Sequence, residues 1–182
     1  MEFKESFIKG LFEITPRVFS DERGLFFESY NQAQFEQHGL LVDFKQDNQS
    51  FSVRGTLRGL HFQRPPYAQG KLVRVISGKV LDVVVDLRPD SPTFGQYETF
   101  LLDGHAHRMV YVPEGFAHGF VALEDSVFTY KCTQLYHKAS EAGIIWNDPQ
   151  LDIPWGVATP LVSEKDQLLP TFQDFVAQLS VH

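Results

Sequence analysis

Short apolar runs separated by turn residues occupy the middle of the chain, and this pattern predicts strands. Runs rich in Val, Leu and Ile predict strands at residues 71–76 and 79–87, and Ser77-Gly78 between them is a tight-turn signal. The Pro-containing segment 88–92 ends the second strand. Further short strands are predicted at 97–102, 108–112, 119–123 and 127–133. Many short strands joined by turns favour a sandwich or a barrel.

Helical periodicity is confined to two places. Residues 31–38, followed by Gly39, form a short helix candidate with a capping signal at each end. Residues 171–179 carry apolar side chains at helical spacing. The pattern alone therefore predicts an antiparallel double sheet with a terminal helix packed outside it. Because the chain has no internal repeat or evident linker, residues 1–182 are expected to form a single domain.

Composition narrows the class of protein. The chain has 17 Phe, 10 Pro and 13 Gly, which favour strands and turns over a helical bundle. Its net charge of −7 argues against a nucleic-acid partner, but allows an anionic small molecule held by a few local cations. The single cysteine, Cys132, excludes an intrachain disulfide and fits a reducing compartment. With no signal-peptide or membrane-span pattern, a cytoplasmic protein without a membrane partner is expected.

Two segments are centred on histidine, LRGLHFQ around His61 and PEGFAHGF around His118. Histidine can move protons near neutral pH, and the neighbouring Arg58 has a fixed fork of donors suited to phosphate. These segments point to a proton-transfer site beside an anion-binding site. The alternative for each histidine is a half-buried ring bonded to a backbone carbonyl.

The spacing of these segments resembles the cupin double-strand pattern, which usually binds a metal through several His and a carboxylate. Gln63 stands where a second His would follow His61, and Arg-Pro-Pro occupies residues 64–66 where a carboxylate is expected. The sequence therefore predicts a site without a metal. The His-Ala-His sequence at 105–107 follows an Asp-Gly turn signal, so an exposed loop is expected there.

Other polar side chains could complete a site. Arg23, Arg58 and Lys71 are candidate anion binders, and the Gln-Asp-Asn sequence at 46–48 is either a base-reading or sugar-reading segment or a plain turn. Tyr130 and Tyr136 would share one face of a regular strand, where a phenol opposite a His base would form an acid–base pair. Asp166 could orient an imidazole.

Seven segments of the chain, taken together, are characteristic. In chain order they are DERGLFFESYN, QDNQSFSVRGTLRGLHFQ, QGKLVRVISGKVLDVVVDLR, SPTFG, VPEGFAHGF, YKCTQLY and IIWNDP. They resemble the dTDP-4-dehydrorhamnose 3,5-epimerase family, and the resemblance runs from about residue 18 to residue 166. It implies a mainly β, cupin-type antiparallel jelly roll with a few short flanking helices. It also implies a dTDP-sugar substrate, no metal or cofactor, and a homodimer with exchanged N-terminal strands.

The resemblance implies a role for each site residue. His61 would be the base, Asp166 its dyad partner, Tyr130 the acid on the other face of the sugar, and Lys71 a cation near the enolate oxygen. Arg23 would reach the substrate from the partner subunit. Strict strand alternation puts Arg58 and His61 on opposite faces, so both serve one site only if Gly59 marks a bulge or a twist. The implied substrate-binding residues are Arg23, Glu28, Gln46, Asn48, Arg58, His118, Glu141 and Lys165.

The expected activity is epimerisation of dTDP-4-dehydro-6-deoxy-D-glucose at C3 and C5 to dTDP-4-dehydro-L-rhamnose, in dTDP-L-rhamnose biosynthesis. The nearest rival is an epimerase acting at C3 or C5 alone in a related deoxysugar pathway. A ketoisomerase, a non-catalytic sugar-nucleotide-binding cupin and a metal-dependent cupin oxygenase are more distant alternatives.

Overall fold

The computed structural model describes residues 1–179. Its fourteen strands and three α-helices follow one another along the chain, with a single 3-10 turn at Lys138–Ser140. The strands are β1 (Glu2–Glu5), β2 (Phe12–Thr15), β3 (Phe19–Asp21), β4 (Gly24–Phe26), β5 (Gln46–Ser52), β6 (Thr56–Gln63), β7 (Lys71–Ser77), β8 (Lys79–Asp86), β9 (Tyr97–Asp103), β10 (Met109–Val112), β11 (Phe116–Ala122), β12 (Ser126–Cys132), β13 (Glu141–Gly143) and β14 (Leu161–Val162). The helices are α1 (Gln32–Gln37), α2 (Glu164–Gln167) and α3 (Phe172–Leu179).

Two sheets carry most of the strands. The front sheet has the order β1-β2-β10-β7-β12-β5, and the back sheet has the order β13-β6-β11-β8-β9. The strand pairs within both orders are antiparallel, whereas β14 lies parallel to the first half of β6. A separate hairpin, β3–β4, pairs Phe19 with Phe26 and Asp21 with Gly24. The fold is the mainly antiparallel β architecture that the sequence predicts.

Most predicted strands are confirmed within one or two residues, and two departures are informative. The strand predicted at 119–123 begins earlier, at Phe116. Residues 46–48 lie in β5, so the plain-turn interpretation is wrong. Exposure alternates strictly along β5 up to Ser52, as expected for a strand with one covered face.

The interior between the sheets is apolar over most of its area. Val73 and Phe128 of the front sheet meet Val80, Val84 and Phe120 of the back sheet in one buried cluster. This layer supplies the apolar burial that stabilises the fold. At one end of the layer, polar and ionisable side chains replace the apolar ones, and there the sandwich opens into a cleft.

The outer face of the back sheet is covered by α3, as predicted. Phe172 and Phe175 of this helix pack with Trp155 in a second buried cluster. The buried Asp148 carboxylate accepts the Phe172 amide at 2.7 Å and so anchors the start of the helix. The predicted helix at 31–38 is also confirmed, since Asn31 caps the start of α1 and Gly39 follows with φ +78°.

Residues 105–107 lie in the turn between β9 and β10, as expected. The Asp103 carboxylate accepts the amides of His105 and Ala106, both at 2.8 Å, which closes the turn. No helix within residues 1–179 combines the length and the apolar character needed to cross a membrane.

Candidate active site

A cleft of about 450 Å³ opens between the two sheets at the polar end of the sandwich. A side pocket of about 300 Å³ adjoins it and shares Asn48, His61, Lys71 and Tyr130 with it. Ten of the twelve predicted site residues line these two spaces. They are Asn48, Arg58, His61, Lys71, His118, Tyr130, Lys165 and Asp166 in the cleft, with Gln46 and Glu141 in the side pocket.

His61 and Asp166 form a hydrogen-bonded pair on the back-sheet side of the cleft. His61 Nε2 lies 2.7 Å from Asp166 Oδ1, and the Gly59 amide donates to Asp166 Oδ2 at 3.2 Å. About a third of the His61 side chain is exposed, whereas Asp166 is buried. Burial by itself raises the pKa of the Asp166 carboxyl, but the His61 hydrogen bond and charge and the Gly59 amide outweigh it and hold that pKa below its usual value. Asp166 is thus a carboxylate placed to orient the imidazole and to stabilise its protonated form.

The short helix α2 holds Asp166 in place. Ser163 caps the helix by accepting the Asp166 amide at 3.1 Å. Strand β14, directly before this cap, pairs with β6 next to the Gly59 region. One connected stretch of backbone therefore fixes the carboxylate relative to its histidine.

Gly59 marks the irregularity that brings Arg58 and His61 to the same cleft. The register between β6 and β11 shifts here, with His61 opposite His118 but Arg58 opposite Phe120. Gly59 has φ +129°, and a Cβ on it would lie 2.6 Å from the Gly119 Cα. The Arg58 Nε donates to Ser52 Oγ at 3.0 Å, which directs the guanidinium across to β5. The bulge expected at Gly59 is therefore present.

Tyr130 and Lys71 face this pair from the front sheet. They belong to the neighbouring strands β12 and β7, and the Lys71 ammonium lies 5.8 Å from the centre of the Tyr130 ring. Burial raises the pKa of the Tyr130 phenol, which is therefore protonated at neutral pH. Burial lowers the pKa of Lys71, opposed by the negative groups around it, including Asp82 and Glu141.

Three hydrogen-bonded polar side chains connect the side pocket with the cleft. Tyr136 Oη donates to Glu141 Oε2 at 2.8 Å, and Glu141 Oε1 lies 2.6 Å from Lys165 Nζ. Burial opposes ionisation of Glu141, but Lys165 and Tyr136 together hold the pKa of Glu141 below its usual value. The interpretation that Tyr136 shares a regular strand with Tyr130 is wrong, because β12 ends at Cys132. Both tyrosines nevertheless line the side pocket.

Gln46 and Asn48 line the side pocket together with Tyr136. Gln46 Nε2 donates to Asn48 Oδ1 at 3.0 Å, and Gln46 Oε1 accepts the Tyr136 amide at 2.9 Å. These bonds fix the orientation of both amides and leave them facing the side pocket. The arrangement suits recognition of a flat polar ligand edge.

Sequence reasoning missed Asp82, which lies behind His118. His118 Nε2 is 2.7 Å from Asp82 Oδ2, and both side chains are buried. The signal was present in the sequence, because Asp82 interrupts the apolar run of β8. A carboxylate in such a run needs a buried partner.

Arg23 and Glu28 lie away from the cleft within one chain. Arg23 sits in the exposed β3–β4 hairpin, where its guanidinium pairs with Asp21 at 2.6 Å. Glu28 accepts the side-chain amides of Asn31 and Gln34, both at 3.0 Å, beside α1. Their roles stay predictions that require a second copy of the chain.

Gln63, which replaces a metal ligand of the cupin pattern, is fully engaged in the fold. Its amide nitrogen donates to the Tyr67 carbonyl at 2.6 Å, and its oxygen accepts the His137 amide at 2.8 Å. Among residues 1–179 there is no group of three or more His, Cys, Asp or Glu side chains placed to hold a metal ion. The metal-free site stays a prediction from the sequence.

Comparison with known proteins places this chain in a family. The family model for dTDP-4-dehydrorhamnose 3,5-epimerase matches residues 5–174. The epimerase of that name from Pseudomonas aeruginosa is 53% identical over 167 residues, covering 90% of this chain and 91% of the relative. The crystal structure of the epimerase from Elizabethkingia anophelis has a TM-score of 0.92 and 47% identity, covering 96% of this chain and 97% of that one. A 3′-monoepimerase from Streptomyces bikiniensis in complex with dTDP-quinovose is more distant, with a TM-score of 0.84 and 33% identity over 97% of each chain. The chain belongs to the dTDP-4-dehydrorhamnose 3,5-epimerase family.

Proposed function

We propose that this protein epimerises dTDP-4-dehydro-6-deoxy-D-glucose at C3 and C5, giving dTDP-4-dehydro-L-rhamnose for dTDP-L-rhamnose biosynthesis. One observation carries the proposal. A His–Asp pair on the back-sheet side and a Tyr–Lys pair on the front sheet line the same cleft. Inversion of a carbon needs a base on one face and an acid on the other, and the two sheets supply one each.

The reaction begins with proton removal by His61. The C4 ketone acidifies the hydrogens on C3 and C5, so a neutral imidazole is a strong enough base for their removal. The C–H bond electrons move into the ring to form an enolate, and the proton stays on His61. The buried Asp166 carboxylate stabilises the resulting imidazolium through the 2.7 Å hydrogen bond.

Lys71 and Tyr130 complete the step from the opposite sheet. The Lys71 ammonium stabilises the negative charge on the enolate oxygen. The Tyr130 phenol, protonated because burial raises its pKa, delivers a proton to the other face of the same carbon. The carbon is thereby inverted with no change in oxidation state, and the reaction consumes no redox cofactor.

The cations around the cleft bind the nucleotide. We expect Arg58 and Lys165, which line the cleft, to bind the diphosphate, and Gln46, Asn48 and Glu141, which line the side pocket, to bind the nucleoside. His118 lies beside His61 and contacts the substrate from the back sheet. The contacts to the diphosphate and the nucleoside are remote from C3 and C5, so they hold the sugar in register without taking part in bond changes.

The active form is a homodimer that exchanges N-terminal strands. Support comes from the β3–β4 hairpin, where Phe19, Leu25 and Phe26 are all more than half exposed in the single chain. Exposed apolar side chains such as these are typical of the surface that a two-fold symmetric dimer buries. The exchange would bring Arg23 and Glu28 to the cleft of the partner.

A conversion assay tests the proposal. The protein is incubated with dTDP-4-dehydro-6-deoxy-D-glucose, and the product is trapped by a reductase specific for the L-configured ketone. Turnover by the wild type and loss of turnover in His61→Asn, with dTDP binding kept, supports it. Wild-type protein that binds dTDP but gives no L-product contradicts it.

A further inference from the structure

Asp82 is a fully buried carboxylate that the reaction just described does not use. It lies in β8, and its side chain is 0% exposed. Oδ2 bonds to His118, but Oδ1 has no hydrogen-bond partner within residues 1–179. Burying a carboxylate with one oxygen unsatisfied costs free energy of folding, so packing alone does not explain an acid here.

Asp86, on the same strand, shows what a purely structural buried carboxylate looks like. Its oxygens accept bonds from Arg88, Ser91 and Thr93 at 2.6 to 2.8 Å, which pin the turn after β8. Asp86 is thus satisfied by its own local segment. Asp82 also acts on Lys71 through its charge, but its only side-chain hydrogen bond within residues 1–179 is to His118, 36 residues away, which lines the cleft.

The position of His118 gives this contact a consequence for the reaction. His118 lies directly opposite His61 in the β11–β6 pairing. The two side chains are therefore cross-strand neighbours, whose Cβ atoms are about 5 Å apart. Asp82 engages Nε2 of His118. The other ring nitrogen, Nδ1, has no hydrogen-bond partner within residues 1–179 and is left for a ligand next to the base.

We propose that Asp82 is a positioning residue, which acts through His118 to hold that imidazole in one orientation and one tautomer against the sugar ring beside His61. The proposal rests on the proposed function. A carboxylate can only accept a hydrogen bond, so it selects the ring form that is protonated on Nε2. An amide at this position can also turn and donate, and it then permits the other form.

The test compares Asp82→Asn with Asp86→Asn. We expect Asp82→Asn to lower kcat by about tenfold to a hundredfold, by analogy with the loss of a carboxylate that orients a metal-ligating histidine. Its Tm and its affinity for dTDP alone should stay near the wild-type values. Asp86→Asn, in contrast, should lower Tm while the folded fraction keeps its kcat.

Two further measurements separate positioning from structure. In ¹⁵N spectra, the His118 ring of the wild type should be protonated on Nε2, and Asp82→Asn should change that signal while leaving the His61 signal in place. In the His118→Gln background, Asp82→Asn should cause no additional loss of kcat, because the two residues act as one unit. Asp82→Ser serves as a second variant if Asp82→Asn does not fold.

Three results would overturn the inference. One is an Asp82→Asn variant whose kcat equals that of the wild type. Another is the result expected for Asp86→Asn, namely a lower Tm of Asp82→Asn with an unchanged kcat of its folded fraction. The third is a His118 ring in the wild type that shows mixed tautomers. Failure of the proposed function is distinguishable from these, because the wild type itself would then show no turnover.

Discussion

At the scale of single residues, the site consists of ionisable groups whose behaviour is set by neighbours from distant parts of the chain. His61 and Asp166 are separated by 105 residues, and His118 and Asp82 by 36. Sequence reasoning singled out His61, Asp166, Tyr130 and Lys71 as candidates, and resemblance to a family gave each its predicted role. It missed Asp82 because no local sequence pattern predicts which histidine a buried carboxylate will bond to.

Asp166 provides a prediction at this scale. Its carboxyl pKa lies below the usual value in the folded chain, so its ionised form stabilises the fold above the unfolded pKa. That contribution is lost as the pH falls through the folded pKa. The difference in free energy of unfolding between wild type and Asp166→Asn should therefore be largest near neutral pH and shrink below about pH 4.

Urea unfolding at a series of pH values measures this difference. The reverse trend, in which the two proteins diverge further as the pH falls, would contradict the assigned role of the His61–Asp166 pair.

At the scale of elements, apolar runs predicted the strands whose inward faces are apolar, including β7, β8 and β12. Strand β5 escaped that reasoning because its inward side chains, such as Asn48, are polar and line the cleft. Strands β3 and β4 are exposed along their whole length, so they have no apolar periodicity to detect. Helix α2 is only four residues long, too short for a helical pattern. Of the elements that line the cleft, β5 and α2 were therefore missed, whereas β7 and β12, which carry Lys71 and Tyr130, were predicted.

The bulge at Gly59 can be tested against a matched control. Gly59 and Gly24 both have φ +129°, but a Cβ at Gly59 meets the Gly119 backbone at 2.6 Å, whereas one at Gly24 has nothing within 4 Å. Both alanine variants carry the cost of the unfavourable φ, about 1–2 kcal/mol. Gly59→Ala should be less stable than Gly24→Ala by a further ~1–3 kcal/mol from overpacking.

Thermal unfolding at matched protein concentration measures the two variants, where 1 kcal/mol corresponds to about 2–4 °C in a chain of this size. Gly59→Ala should also lose activity, because the backbone shift that relieves the clash would move the amide of residue 59 away from Asp166. Equal Tm values for the two variants would mean that the close approach to Gly119 is not rigid.

At the scale of the whole molecule, the sandwich places His61 and Tyr130, the proposed base and acid, on facing sheets, and the proposed dimer would complete each site. That residues 1–182 form one domain, and that the protein is cytoplasmic, stay predictions. Arg23 is exposed and does not line the cleft of its own chain, so its proposed role in the partner's site can be tested by complementation.

Arg23→Ala and His61→Asn homodimers should each be nearly inactive. After the two are unfolded and refolded together, a mixed dimer contains one site with His61 from one chain and Arg23 from the other. Random pairing should restore activity to about a quarter of the wild-type value. No recovery in a mixture shown to contain mixed dimers would place Arg23 in the site of its own chain or outside the site.

Proton NMR of dTDP-4-dehydro-6-deoxy-D-glucose incubated with the protein in heavy water tests the central claim most directly. Proton removal by His61 followed by return of a solvent-derived proton predicts deuterium at both C3 and C5, and its absence from both carbons with His61→Asn. Deuterium at one carbon only would show a mono-epimerase. Exchange at neither carbon, despite tight dTDP binding, would contradict the catalytic roles of His61 and Tyr130 and leave a sugar-nucleotide-binding protein.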